Sequence, residues 1–218
     1  MPESNPRRPR RGAPAYMVAD IVLVLVSAAA SKSEKGRKAD DAVFRSVNRG
    51  LRGLRPIFWV VTQGGWFGSV ILWCAICLAK GRRRLALDIL GAALLSWVLS
   101  QGGKELVALE RPWERLDGTH RIGGVPWGSS YPSGHPAVSF AVAGVLEADS
   151  EVPRRLKKLA RAWASGVAIS RMVVGAHYPL DVIGGAALGD LAALIWVAAA
   201  PEGTAAENPP GETTIMGR

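Results

Sequence analysis

Residues 56–79 read PIFWVVTQGGWFGSVILWCAICLA, a run of 24 without one charged side chain, and the chain then turns at once to Lys80-Gly81-Arg82-Arg83-Arg84. An α-helix rises about 1.5 Å per residue, so a hydrocarbon layer roughly 30 Å thick takes about 20 residues to cross. This run is long enough, and the basic cluster behind it marks where such a span ends. Five more apolar segments lie around it: Tyr16 to Ala30, Leu85 to Gln101, Gly134 to Ala148, Leu159 to Val174 and Leu180 to Ala200. Of these, only the last is comparably long. The other four need polar residues at one end, and polar ends inside lipid ordinarily face a protein interior or a cavity. The expected fold is therefore all-α, a six-span transmembrane helical bundle with a site at one membrane face.

Composition agrees. With 49% hydrophobic and 21% charged residues in 218, the chain is too apolar to be disordered. Its 25 glycines show no three-residue period, which excludes a collagen-like chain, and two cysteines are too few for a disulfide framework. A net charge of +9 and a pI near 10.1 point to phosphate-bearing partners. Because the basic residues gather between apolar runs instead of striping helices, those partners are expected to be membrane lipids and no nucleic acid.

Three regions are expected: a basic flexible tail over 1–15, a membrane domain over 16–200, and a disordered tail over 201–218 rich in Pro, Glu, Gly and Thr. The tail arginines Arg7, Arg8, Arg10 and Arg11 ahead of Ile21 to Ala30 imitate a secretory signal. No separate small-residue cleavage site follows and further spans do, so this first span is expected to be retained. Four basic residues in Lys80 to Arg84 and five in Arg154 to Arg161 assign those loops to the cytoplasm, leaving 102–133 and 175–179 outside. The segment Ser31 to Arg55 runs against this, with eight basic residues on the outer side. A first helix lying in the interface relieves the conflict locally but inverts every later loop.

Three polar clusters fall at the ends of the later spans. In the first, Lys104 precedes Arg111-Pro112; if the third helix continues that far, positions seven apart lie on one face, about 10.5 Å apart. Two cations there can wall an anion pocket, although a snorkelling pair at a helix end gives the same pattern. The second, Pro132-Ser133-Gly134-His135-Pro136, directly precedes an apolar run. Free amides and the positive dipole end at such a helix start bind phosphate, and His135 can give a proton to a leaving oxygen. An ordinary junction with a capping serine is the plain alternative. In the third, Ser170-Arg171 is followed by Gly175, His177, Pro179 and Asp181. Pro179 is expected to open the last helix, with His177 just outside and Asp181 in its first turn. That carboxylate can hold one imidazole nitrogen and leave the other free to attack, while Arg171 offers a planar fork to phosphate oxygens.

Taken together the clusters supply a nucleophile, a proton donor and three cations, which is what hydrolysis of a phosphate ester asks for. Their arrangement, Lys104-x6-Arg111-Pro112, Pro132-Ser133-Gly134-His135 and Ser170-Arg171-x5-His177-x3-Asp181, resembles the signature of the type 2 phosphatidic acid phosphatases, or lipid phosphate phosphatases. Eleven fixed positions match by chance on the order of 10⁻¹⁴ per placement. The resemblance implies a phosphatase that needs no metal and no cofactor and acts on a lipid phosphate monoester or diphosphate. It implies that His177 forms a phosphohistidine, that Asp181 orients it, and that His135 protonates the leaving alcohol and then activates water. Lys104, Arg111, Arg171, Ser133 and Gly134 would hold the phosphate. Candidate substrates are polyprenyl diphosphate, phosphatidylglycerol phosphate, phosphatidic acid and a prenyl-linked sugar phosphate. The implied place is the plasma membrane, multi-pass, with the site on the extracytoplasmic side. Haloperoxidases share the pocket fold but are soluble and larger. A phosphotransferase between lipids and a non-catalytic lipid-phosphate carrier are the remaining alternatives.

Smaller signals read as structure. Cys74 and Cys77 are small packing residues in an apolar run, and Gly185 with Gly189 marks a close helix contact. Asp20, Asp88 and Asp190 lie inside spans, with no partner evident from sequence. His120 is expected to be solvated, and Trp113, Arg115, Trp127 and Tyr131 to shape a headgroup pocket.

Overall fold

The computed structural model describes residues 12–124 and 127–199; of the expected tail over 1–15 only 12–15 fall within them, with 13–15 already helical, and the expected tail over 201–218 lies outside them. Among the described residues the fold is all-helical. Helix α1 runs Ala13–Lys32, α2 Glu34–Gly50, α3 Arg55–Gln63, α4 Phe67–Ala79, α5 Arg83–Val107, the short α6 Pro112–Arg115, α7 Gly134–Ala148, α8 Arg154–Val173 and α9 Pro179–Ala199. Each apolar segment expected from sequence is largely helical over its described residues. By length and composition, three described helices can cross a membrane, or four when the bent pair α3–α4 counts as one.

Helix α7 forms the axis, packing on α9, α5 and α8, while α1 covers α9 and α4 covers α5. Its buried face is built of small residues, Ala137, Ala141, Val142 and Val145 among them, so neighbouring backbones come close. Added β-carbons on Gly185 and Gly189 of α9 would lie 2.3 Å from the carbonyls of Ser133 and Ala137, so the expected close contact is between α9 and α7. Outward faces are apolar instead: Val18, Leu25 and Val26 on α1 and Ile71 and Leu72 on α4 are exposed, a surface suited to lipid.

Three expectations are corrected. The long segment 56–79 is two helices bent by 54°, because Gly64, Gly65 and Trp66 interrupt it. An added β-carbon on Gly65 would lie 2.6 Å from that of His135, so the break lets the backbone pass against α7. The segment 31–55 is no simple basic loop but largely α2, whose buried Asp40, Phe44 and Asn48 recur every four residues on one face. Ser33 caps it, accepting from the Gly36 amide at 3.0 Å. Finally, α5 stops at Val107 with Ala108 left-handed at φ 50°, so Arg111 is not on its face but caps α6.

The intramembrane acids find partners. Asp190 pairs with Arg161 at 2.7 Å, and Arg161 also holds Glu147, joining α9, α8 and α7. Asp88 accepts from the Trp196 indole at 3.2 Å. Cys77 is buried in the main apolar core with Cys74 against it, as packing residues.

Candidate active site

All three sequence clusters meet at one end of the bundle. Lys104, in the last turn of α5, donates to the carbonyls of Ser129 (2.8 Å) and Pro132 (3.0 Å). Arg111 reaches the same place by the turn after α5. Its guanidinium donates to the carbonyls of Gly128, Trp127 and Ala176, and its Nη1 lies 3.1 Å from His177 Nε2. Arg171, in the last turn of α8, donates from Nη1 to Thr62 Oγ1 at 2.7 Å, and its buried Nε has no partner. These bonds are to neutral oxygens, which fix the cations without neutralising them.

His177 sits just before α9, and Pro179 opens that helix as expected. Its Nδ1 lies 3.4 Å from Asp181 Oδ2 in the helix's first turn. Asp181 Oδ2 is itself held by the Ser130 hydroxyl and by the Tyr178 amide at 2.9 Å. Burial drives the His177 pKa well below the ordinary histidine value, and Arg111, Lys104 and Arg171 push the same way. His177 Nδ1 makes no hydrogen bond at this separation; a neutral imidazole carrying its proton on Nδ1, toward the carboxylate, would leave the Nε2 lone pair toward Arg111.

His135 lies in the first turn of α7, and Ser133 is its N-cap. The serine hydroxyl does not cap the helix: its Oγ is buried with no partner, while its amide donates to the Asp181 carbonyl at 3.0 Å, tying α7 to α9. A cavity of about 370 Å³ gathers Lys104, Arg111, Gly134, His135, Arg171 and His177, together with Trp66, Phe67, Trp97 and Trp127. Ser133 and Asp181 are fully buried and do not line it.

Several supporting residues carry no sequence signal of their own. Ser130 holds Asp181, Thr62 holds Arg171, and Asn48 of α2 donates to the carbonyls of His120, Met172 and Val173 at 3.1 Å each. Asp40 of α2 accepts from the Leu180 amide at 2.9 Å, at the start of α9. Two loop residues expected in a headgroup pocket are structural instead. Arg115 bonds the Tyr178 hydroxyl and pairs with Asp41, and Tyr131 is buried against Ser27 and the Val24 carbonyl of α1. Their contacts are long-range, which a local pattern does not encode. Trp127 remains exposed on the cavity, and His120 contributes its backbone.

Fold and site together define an α-helical membrane-type protein with a cationic, two-histidine pocket at one end of its bundle. The model of the PAP2 superfamily matches residues 85–204, and the chain belongs to that superfamily. It is 30% identical over 127 residues to an undecaprenyl-diphosphatase of Sulfolobus acidocaldarius, a match covering 56% of this chain and 61% of that one. It is 30% identical over 154 residues to a decaprenylphosphoryl-5-phosphoribose phosphatase of Mycolicibacterium smegmatis, covering 68% of this chain and 82% of that one. Among solved structures, a transmembrane PAP2-type phosphatidylglycerolphosphate phosphatase from Bacillus subtilis superposes with a TM-score of 0.71 at 22% identity, covering 83% of this chain and 93% of that one. Aquifex aeolicus LpxE gives 0.64 at 26% identity, covering 72% and 93%.

Proposed function

We propose that the protein is an integral membrane phosphatase that hydrolyses a lipid phosphate monoester or diphosphate through a phosphohistidine. The observation that carries this is His177: Nδ1 faces Asp181 while Nε2 faces the cavity's Arg111, so an attacking lone pair points where the cations converge. His177 Nε2 attacks phosphorus as the bond to the leaving oxygen breaks, and His135 gives that oxygen a proton. His135 then takes a proton from water, which attacks phosphorus and releases His177. Lys104, Arg111, Arg171 and Gly134 line the cavity, hold the phosphate and stabilise its transition-state charge, while Ser133, buried behind them, positions the start of α7 through its amide bond to the Asp181 carbonyl.

In this reading α1, α3–α4, α5, α7, α8 and α9 make six crossings of the plasma membrane. The basic segments 80–84 and 154–161, at the starts of α5 and α8, fit the cytoplasmic face. Lys104 lies near the far end of the 25-residue α5, about 37 Å long, which supports an extracytoplasmic pocket. Both curated relatives carry names that describe lipids with two phosphate groups, which favours polyprenyl diphosphates and prenyl-linked sugar phosphates among the candidates.

Phosphate release by the detergent-solubilised full chain, across the four candidate lipid classes, tests the proposal. His177→Ala is expected to abolish turnover, with a loss of at least about 10³-fold. A near-normal rate in that variant removes His177 as the nucleophile. Transfer of phosphate to a lipid alcohol in preference to water would identify a phosphotransferase instead.

A further inference from the structure

Beside the phosphate pocket lies a second cavity of about 450 Å³. The two share Trp66, His135 and Arg171, whereas Lys104, Arg111 and His177 line only the first. His135 and Arg171 thus form a partition, with the nucleophile on one side. In an in-line displacement the leaving group departs opposite the attacking atom. Its proton donor here is a wall residue of the second cavity. His135 faces both cavities, so a leaving group that it protonates, departing away from His177, has the second cavity open to it.

The chemistry of the cavity is set by Arg121, which no motif includes. Its backbone is fixed from three directions. Asn48 brackets His120 through both its backbone groups, at 3.1 and 3.2 Å, and the Ile122 amide donates to the Val174 carbonyl at 3.1 Å. Gly175, at φ +77°, lets the loop settle directly on it: a β-carbon there would lie 2.5 Å from the His120 carbonyl. The Arg121 guanidinium lies over the Trp113 ring at 5.0 Å, and none of the ion pairs among the described residues includes it. Gln63 of α3 lines the same cavity. An exposed cation on a fixed backbone, lining the same cavity as a neutral amide, suits an anion.

We infer that this cavity receives a second phosphate, one retained by the leaving group, with Arg121 as its cationic contact and Gln63 as a neutral donor. The substrate class is then a lipid carrying two phosphates. A simple lipid monophosphate leaves as a neutral alcohol and makes no use of Arg121. With two phosphates, the bond from the terminal phosphorus to its leaving oxygen breaks as the bond to His177 Nε2 forms. The group that departs takes its proton from His135 and keeps its remaining phosphate anion.

The inference rests on the phosphatase reading above, so the test separates the two. The full chain in detergent is assayed with a prenyl diphosphate, and inorganic phosphate, which needs only the first pocket, serves as competitor. Arg121→Ala is expected to raise KM for the diphosphate about tenfold while the inhibition constant for phosphate moves less than about twofold. Arg121→Lys recovers part of the loss, and Gln63→Ala raises KM less. If Arg121→Ala does not fold, the lysine and Gln63 variants give the same contrast. Parallel changes in both constants, or no change in either, overturn the second-phosphate site and leave the phosphatase reading standing. No turnover by the unmutated protein overturns both.

Discussion

Gly185→Ala tests whether the approach of two helices sets the spacing of the site. Gly185 is one turn beyond Asp181 on α9, and a β-carbon there would sit 2.3 Å from the Ser133 carbonyl oxygen and 3.3 Å from the Ser133 amide nitrogen. Ordinary contact begins near 3.4 Å, so the helices must separate by about 1 Å. The obstacle is backbone and cannot swing aside. It is also the residue whose amide bonds the Asp181 carbonyl at 3.0 Å, so separation strains the tie between the two halves of the site. The start of α7 carries His135, and the start of α9 carries Asp181 with His177 just before it. The shift therefore moves proposed acid from proposed nucleophile. A misplacement of about 1 Å reduces turnover roughly 10²-fold, and overpacking lowers stability by about 1–3 kcal/mol. For a chain of this size that is a fall in Tm of about 2–12 °C. Steady-state phosphate release and Trp-fluorescence melting of the solubilised protein measure both. The control is Gly102→Ala on α5, where an added β-carbon meets nothing within 4 Å. It should keep kcat within about twofold and leave Tm equal or higher. A kcat for Gly185→Ala within twofold of the unmutated protein would refute the idea that this contact spaces the site.

Two predictions concern α2. Burial raises the Asp40 carboxyl to about 7; Asp181 and Asp41 add to the rise, while the Leu180 amide and Arg115 oppose it. A folded pKa above the unfolded 3.8 stabilises the fold fully below about pH 4, and that contribution is lost as pH rises through about 7. Asn at this position keeps an acceptor for the Leu180 amide and carries no charge. Asp40→Asn should therefore melt higher than the unmutated protein at pH 8, by at most about 4 kcal/mol, with the gap narrowing steadily toward pH 5; a gap independent of pH would contradict the assignment. Asn48→Ala removes a donor to three carbonyls, and a loss of about 1–3 kcal/mol is expected, read as a fall in Tm of about 2–12 °C. An unchanged Tm would mean that these carbonyls find other partners.

The helical membrane class is legible because lipid asks only for composition: six apolar segments are visible as runs, and each is largely helical over its described residues. The signature residues are legible for a different reason, since phosphate chemistry fixes their types and local spacing. The chain's path between them is not fixed in that way. Lys104 and Arg111 were expected on one helical face; they reach the same cavity because α5 ends between them. The break at Gly64–Trp66 is hidden inside an unbroken apolar run, although its two adjacent glycines were a signal. Helix α2 is obscured by its charge. Its buried Asp40, Phe44 and Asn48 mix acid, aromatic and amide, so the four-residue period does not register as an apolar stripe. Ser130 and Thr62 have no local signal: each matters through one contact across a large sequence separation.

Those supporting contacts explain how so polar a pocket is held at the end of an apolar bundle. Lys104, Arg111 and Arg171 are buried, and among the described residues none of the three makes an ion pair with a carboxylate. Like charges out of water are costly unless each donor is occupied. Here the donors are turned mainly onto backbone carbonyls of the 127–132 loop and residue 176, plus the Thr62 hydroxyl. Carbonyl dipoles lower the desolvation penalty without cancelling the positive potential, so the excess charge remains for a ligand. Had carboxylates occupied those positions, the pocket would be more stable empty and poorer at holding a dianion. Fixing the loop therefore matters as much as supplying the cations, and α2 does much of that fixing, through Asn48 on the end of α8 and residue 120 and through Asp40 on the start of α9. The basic helix that sits badly with charge-based topology thus braces the third signature cluster from both sides, and through Asp41 and Arg115 the helix that follows the first.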